Sequence, residues 1–521
     1  MTGSRLTVGA ACALTALLAA ACTTGGAAPG STGAAAGQNG TLRYAIIADA
    51  NGFDPAKGSA VSDYTFARLL YASLVARDDG GKIVPRLAET WQVTPTSATF
   101  TLRKGLTCSD GKPLTAAGVA ASLKRYADPV NGAQGRGLVF GPGNTVDITS
   151  DDAAGTVSVK LGTPWSDLLL GMSLPGTGIV CGPGLADLQG LNRGSVQGAG
   201  TGPYVVEKAQ RGAAYTLKLR DGFTAWPGYA KLPAGDPPRT LQISVINNES
   251  TIANQLTTGA LDYAAFTGPD GARFTGGGHT TITAPILRMF VVFNQRAGRP
   301  GADEKIRAAV AQALDATAFN KVYGGKGEVM KSYTDSTSPC VNTDDALVAK
   351  ADPAAAKKAL SGVELKLTGT NAVGGGAGNA YVQEALRAAG AEVTLRNVDN
   401  ATWATEVLGN NGDWDITVMA HLNFSSSLTS GAVLLTGPTP PKGTNFGGAE
   451  NPEFAKGMGA ALATVDDTAK CAAWTEAQRA LLTRHDVVPL ATVPVTYVFT
   501  PRVKGVTPLG FLDPTSIRIT S

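Results

Sequence analysis

The chain has 521 residues, of which 43% are hydrophobic and 16% charged, and its formal net charge is +3. It carries no basic run or stripe, which argues against nucleic acid as a partner. Roughly 480 residues follow the first forty, more than one hydrophobic core accommodates, so two or three subdomains are expected.

Residues 1–21 read as a targeting segment. Arg5 is its only charged side chain, and an apolar run, Ala10–Ala21, follows. Leu18-Ala19-Ala20-Ala21-Cys22 has the form of a lipoprotein cleavage site with Cys22 acylated, although Leu18 stands one place further from the cysteine than is usual. An ordinary signal peptide with Cys22 incidental is the alternative. Residues 22–40 then form a tether without charge or aromatic side chain, unable to build a core. As a flexible coil its ends lie roughly 20–25 Å apart. No later apolar run reaches about 18 residues, so no spanning helix is expected and membrane attachment rests on the lipid.

Thr41–Ile47 reads as a strand and Asp49–Pro55 as a loop. Further on, Ala98, Phe100 and Leu102 alternate with Thr99, Thr101 and Arg103, the period of a half-buried strand. Ser109-Asp110-Gly111-Lys112-Pro113 is a turn. Thr115 caps a helix that sets Val119, Leu123 and Tyr126 on one face.

The whole stretch Lys82–Tyr126 is more specific than its elements. Val84-Pro85-Arg86-Leu87-Ala88-Glu89, Trp91, Leu102-Arg103-Lys104-Gly105, Ser109-Asp110-Gly111, Pro113-Leu114-Thr115-Ala116 and Ser122-Leu123-Lys124-Arg125 fall in order. This resembles the signature of the bacterial extracellular solute-binding proteins of family 5, the oligopeptide and dipeptide class that serves ATP-driven ABC importers. Gly118 stands where that family carries an acid, so the capping box is missing.

The resemblance implies an α/β, periplasmic-binding-protein-like type II fold: two lobes with a hinge plus an extra α/β subdomain (the cluster C type). On the family pattern, residues 41–265 form the first lobe with the extra subdomain at about 72–198. Residues 266–488 form the second lobe, and 489–521 return to the first. Two extended crossings would make a hinge that closes with little repacking. Asn51, Gly52 and Phe53 become cleft candidates, with Phe53 reading equally as core.

Gly200-Thr201-Gly202-Pro203-Tyr204 and Leu217–Trp226 resemble framework. Glu249–Leu256 is a helix, Gly259–Tyr263 precedes the first crossing, and Arg288–Asn294 is a buried strand. In Ile306–Asp315, Ile306, Val310 and Leu314 form one stripe, with Arg307 and Asp315 as structural partners. Val363–Thr370, Ala380–Ala389 and Ala391–Arg396 form a βαβ unit. Its glycines mimic a dinucleotide fingerprint, but Asn379 replaces the third.

Trp403–Leu408 continues as helix and Trp414–Ala420 as strand. His421-Leu422-Asn423-Phe424 follows the strand's C-terminal end, where ligands of open α/β sheets sit. In peptide-binding relatives an Asp here pairs with the peptide's ammonium. Asn423 is nearest to that position and lacks the countercharge a buried ammonium needs. Trp403, His421, Asn423 and Phe424 are therefore cleft candidates, against a reading as core residues. Asn451–Phe454, Trp474–Thr483, Val487–Leu490 and Val503–Gly505 match the family's closing pattern.

Cys108, Cys181, Cys340 and Cys471 remain beyond the leader, and four cysteines allow three connectivities. Cys108–Cys181 and Cys340–Cys471 are expected, because each pair then lies within one lobe. No cofactor is expected, and a metal site is weak: no C-x-x-C occurs and the chain has 3 His. No hydrolase, zinc-protease, Walker A or kinase motif appears. Asp151-Asp152 and Asp344-Asp345 look solvated. The expected function is capture of a small solute outside the membrane by a monomer. A short peptide comes first, ahead of a metal chelate, an opine or an oligosaccharide. Delivery would be to permease subunits coupled to ATPase subunits. A secreted hydrolase and a surface interaction protein are the other classes.

Overall fold

The computed structural model describes residues 40–520; the expected signal, Cys22 and nearly all of the tether lie outside the described residues. Among the described residues no helix is long and apolar enough to cross a membrane.

Ten strands form one mixed sheet. In spatial order they are Glu392–Val398, Glu364–Thr370, Ile416–His421, Thr280–Phe293, Val487–Phe499, Tyr263–Phe266, Thr41–Ile46, Thr240–Val245, Ala214–Leu219 and Tyr204–Gln210. The two central strands, Thr280–Phe293 and Val487–Phe499, pair antiparallel along most of their length. One end of this ribbon joins Tyr263–Phe266 and the other joins Ile416–His421. The same two strands therefore carry the chain from one lobe to the other. Pro285 lies opposite Pro494, and the register slips between Pro285 and Leu287 and again between Arg288 and Phe290. Proline donates no ladder hydrogen bond, so the sheet is least reinforced where the lobes join.

Met289-Phe290-Val291-Val292-Phe293 is apolar without alternation because a central strand is covered on both faces. Met289, Val291 and Phe293 pack with Val310, Leu314, Phe319 and Leu386. Phe290 and Val292 belong to the core of Trp403, Trp414, Phe454 and Trp474 on the other side. In the first lobe Leu42 and Tyr44 pack with Phe66, Tyr215 and Leu217. Asp262 locks that lobe: it accepts from the Arg43 amide at 2.8 Å, from the Arg43 guanidinium at 2.9 and 3.1 Å, and from Arg502 at 3.0 Å. Gly202 allows a close crossing, since a Cβ there would lie 2.5 Å from the Leu69–Tyr71 backbone.

A separate four-stranded sheet, ordered Ala88–Thr94, Ser97–Leu102, Thr156–Leu161, Val146–Asp151, is covered by the helix Ala116–Ala127. Val119, Leu123 and Tyr126 are buried against Phe100, Val157 and Val159. Thr115 Oγ1 accepts from the Gly118 amide at 3.1 Å, as the spacing predicts. The acid missing at Gly118 is replaced from elsewhere: Asp152 Oδ1 accepts from the Ala117 amide at 2.8 Å. Asp152 is thus a helix-capping group and not merely a solvated one.

The two disulfides join Cys108 to Cys181 and Cys340 to Cys471, as expected. Glu364–Thr370 and Glu392–Val398 run parallel around the helix Ala377–Ala388, the βαβ unit read from the sequence. Two readings are corrected. Arg307 and Asp315 are structural but not each other's partners: Arg307 pairs with Asp486 at 3.3 Å, while Asp315 caps the helix Ala316–Val322. The helix after Asp399 is Asn400–Trp403, and Ala404–Leu408 is a wider π turn.

Candidate functional site

The lobes meet around a cavity of about 160 Å³. From the first lobe come Tyr64 on the helix Val61–Leu70, Tyr126 at the end of Ala116–Ala127, and Leu138, Leu174 and the loop Pro55–Gly58. The second lobe supplies Leu422, Phe424 and Ser430. Among the lining residues no side chain is charged.

Local chemistry sets these walls. Asp63, in the first turn of its helix, accepts from the amides of Asn51, Ser59 and Ala60 at 2.7–3.0 Å. That ties the Asn51 loop to the helix and fixes Tyr64 beside it. The Tyr64 hydroxyl donates to the Gly58 carbonyl at 3.0 Å. Asp54 takes both guanidinium nitrogens of Arg125, which anchors the end of the helix bearing Tyr126. A Cβ on Gly135 would fall 2.6 Å from the Tyr126 hydroxyl, so glycine keeps that side of the cavity open. Phe424 packs between Tyr64 and Phe511, with ring centroids 4.4 Å from each.

The cavity is electrically neutral. Burial, and then Asp63 behind it, push the Tyr64 phenol up to about 12. Burial pushes the Tyr126 phenol higher still. His421 lies just behind the wall, its Nε2 3.1 Å from Ser430 Oγ. Burial and then the Arg288 charge hold its pKa down at about 3, so the ring is neutral. Arg288 itself is fully buried and is neutralised by Asp335 at 2.9 and 3.1 Å.

The sequence candidates separate. Phe424 lines the cavity, and His421 reaches it through Ser430. Asn423 faces away and is fully buried. Its amide nitrogen donates to Thr334 Oγ1 at 3.0 Å and to the Ser427 carbonyl at 2.9 Å, and its oxygen accepts from Ser425 Oγ at 3.0 Å and the Ser427 amide at 3.2 Å. Trp403 is buried in the second-lobe core, donating to Thr417 Oγ1 at 3.0 Å. Phe53 sits edge-on to Phe66 and Tyr215 in the first-lobe core. Asn51 and Gly52 border a different, polar hollow with Asp54, Asp63 and Asn192. Tyr64, Tyr126, Leu138, Leu174, Leu422 and Ser430 were not singled out from the sequence. The one available signal was alternation: after a strand, Leu422 and Phe424 must face opposite to His421 and Asn423.

A second contact joins the lobes near Asp167. Its carboxylate binds Lys470 Nζ and accepts from Thr429 Oγ1 at 2.5 Å, and Lys470 also reaches Ser166 Oγ at 3.1 Å. Arg77 adds a bond to the Ser425 carbonyl. Among the described residues no group of three or more His, Cys, Asp or Glu is placed to hold a metal.

Comparison with known proteins gives the following. Residues 82–441 match the family model described as bacterial extracellular solute-binding proteins, family 5 Middle. The chain is similar to the crystal structure of a substrate binding protein from Microbacterium hydrocarbonoxydans complexed with 4-hydroxybenzoate hydrazide. That likeness has 39% identity and a TM-score of 0.82, and covers 92% of this chain and 100% of the other. It is 30% identical over 267 residues to Protein XP55 of Streptomyces lividans, covering 50% of this chain and 46% of the relative. It is 26% identical over 276 residues to the glutathione-binding protein GsiB of Escherichia coli O1:K1 / APEC, covering 52% and 51%. The chain thus spans about half the length of the curated relatives it matches.

Proposed function

The chain belongs to the bacterial extracellular solute-binding proteins of family 5, and from that premise we propose that it captures an uncharged, single-ring solute between its lobes for an ABC importer. The cavity between the lobes carries this reading. A dry cavity of about 150 Å³ takes one benzene ring, and this one measures about 160 Å³ and is walled by Tyr64, Tyr126, Phe424 and leucines, with Gln134 and Ser430 as further polar side chains. Drug-sized ligands occupy roughly 300 Å³ or more. A zwitterionic peptide would bring a buried ammonium to a lining without a countercharge, at a cost of several kcal/mol. The hydrazide complex of the 39% identical relative supports the same class.

The mechanism is a population shift. A ring held by Tyr64 and Tyr126 on one side and Phe424 on the other gains contacts only when the lobes are closed, so it favours that form by its differential affinity. The permease then reads the closed shape, and no bond is broken. The proposal includes the lobe limits, 41–265 with 489–521 and 266–488, and acylation of Cys22 as the membrane anchor outside the cytoplasm. Cys22→Ala should release the protein to the medium; unchanged membrane retention would contradict the anchor.

Thermal-shift and calorimetric titration test the ligand class. 4-Hydroxybenzoate hydrazide and benzamide should raise the melting temperature in proportion to affinity, with trialanine and glutathione inert. Stabilisation by the peptides and none by the ring compounds would return the reading to a short peptide.

A further inference from the structure

We propose that Ser430 is the specificity-determining hydrogen-bond donor of the cavity, held in that role by His421, and that the solute therefore carries a carbonyl group beside its ring. The inference rests on the reading of this cavity as the solute site.

Both residues are buried, Ser430 at 8% and His421 at 6% exposure. Ser430 lines the cavity and His421 stands behind it, Nε2 to Oγ 3.1 Å. The other ring nitrogen, Nδ1, is buried without a partner. The ring packs against Phe290, and a Cβ at Gly431 would lie 3.7 Å from it. The nearest cation, Arg288, spends its guanidinium on Asp335, Thr337 and the Ile286 carbonyl. A neutral imidazole carries one N–H. Placed on Nδ1, that hydrogen would be a buried donor with no acceptor. Placed on Nε2, it donates to Ser430 Oγ, leaves only a lone pair unmatched on the buried ring, and moves the unmatched donor to the serine hydroxyl at the cavity wall, where a solute can meet it.

In that arrangement the serine oxygen has already accepted a bond. Its own hydrogen then has no acceptor among the described residues, and Ser430 is one of the residues that line the cavity. Tyr64, on the opposite wall, has committed its hydroxyl to Gly58. The arrangement suits a benzamide, a benzoic hydrazide or a small aryl ester, whose carbonyl oxygen accepts from Ser430 while the ring fills the apolar space. A site built to bond such a group rejects an analogue lacking it, because Ser430 is then left unmatched.

Calorimetry with 4-hydroxybenzoate hydrazide and with 4-ethylphenol, which keeps the ring and lacks the carbonyl, tests this. The wild type should bind the hydrazide about tenfold or more tightly than the phenol. Ser430→Ala should erase that margin while holding the phenol within about twofold, with its melting temperature confirming the fold. Ser430→Cys keeps the shape with a weaker donor and should give an intermediate margin. Long-range nitrogen NMR on the wild type should show His421 protonated on Nε2. A margin that survives in both variants, or an Nδ1–H tautomer, would overturn the assignment of Ser430. Failure of both probes to bind the wild type would instead remove the single-ring reading beneath it.

Discussion

The lobes meet in two places of opposite character. At the cavity the contact is mainly apolar: Tyr64 against Phe424, with Tyr126, Leu422 and Ser430 around the same cavity. At Asp167 it is polar: one carboxylate, 6% exposed, shared by Lys470 and Thr429 across the interface. Dispersion and burial are non-directional and grow with whatever fills the gap, so the first contact responds to a solute. A charge-assisted hydrogen bond is short and directional, so the second fixes where closure stops. On the proposed reading, the cavity decides whether the lobes stay together, and the Asp167 tie decides their register.

Removing the support of the tie should have the largest effect. Cys340 is joined to Cys471, the neighbour of Lys470 on the helix Asp467–Thr483. Cys340→Ser with Cys471→Ser should lower stability by about 2–4 kcal/mol, read by denaturant unfolding, and should weaken closure as well. Phe424→Ala opens the cavity wall. A loss of about 2 kcal/mol is expected, since the ring is only half-buried, together with at least a tenfold loss of ring-compound affinity. Equal affinities in calorimetry would detach Phe424 from the site.

Asp167→Asn keeps the shape and removes the charge facing Lys470. About 1 kcal/mol is expected, seen as a larger radius of gyration in X-ray scattering of the free protein and a severalfold weaker ligand. No expansion would mean that the tie does not set register. Gly135→Ala should press on the Tyr126 hydroxyl and weaken larger ring compounds more than benzamide.

The last effect is read in the pH dependence of stability and concerns His421. Its folded pKa, about 3, lies below the ordinary value of 6.5. As the pH falls below 6.5 the unfolded chain takes up a proton first. The stability from this group is therefore full above that pH and is lost progressively down to about 3. His421→Asn should flatten that acid limb, on top of a pH-independent loss from the packing on Phe290 and the Ser430 contact it removes. His485, whose pKa burial also lowers, would leave a residual slope in the same direction.

Much of the fold was legible because its cause is local. Alternation at Ala98, Phe100 and Leu102, the Thr115 cap, the stripe Val119–Leu123–Tyr126 and the βαβ unit at 364–398 each follow from backbone periodicity and hydrogen-bonding chemistry. The cavity was legible only in part. His421 to Phe424 were identified as one segment at a strand end, yet alternate residues face opposite ways, so Phe424 entered the cavity while Asn423 became a saturated core amide. Tyr126 reads only as a member of the stripe Val119–Leu123–Tyr126, and that pattern cannot tell a core from the wall of a cavity.

The sequence alone determined the elements, the family signature and, through the lobe argument, the two cysteine pairings, since these depend on residues near one another in the chain or on the order in which the family's motifs fall along it. Tertiary structure alone decided which side chains share a surface. Tyr64, Tyr126 and Phe424 are brought together by the closure of two lobes, and the acid missing at Gly118 is supplied by Asp152 from a distant turn. Such contacts depend on packing in three dimensions, and no periodicity along the chain encodes them.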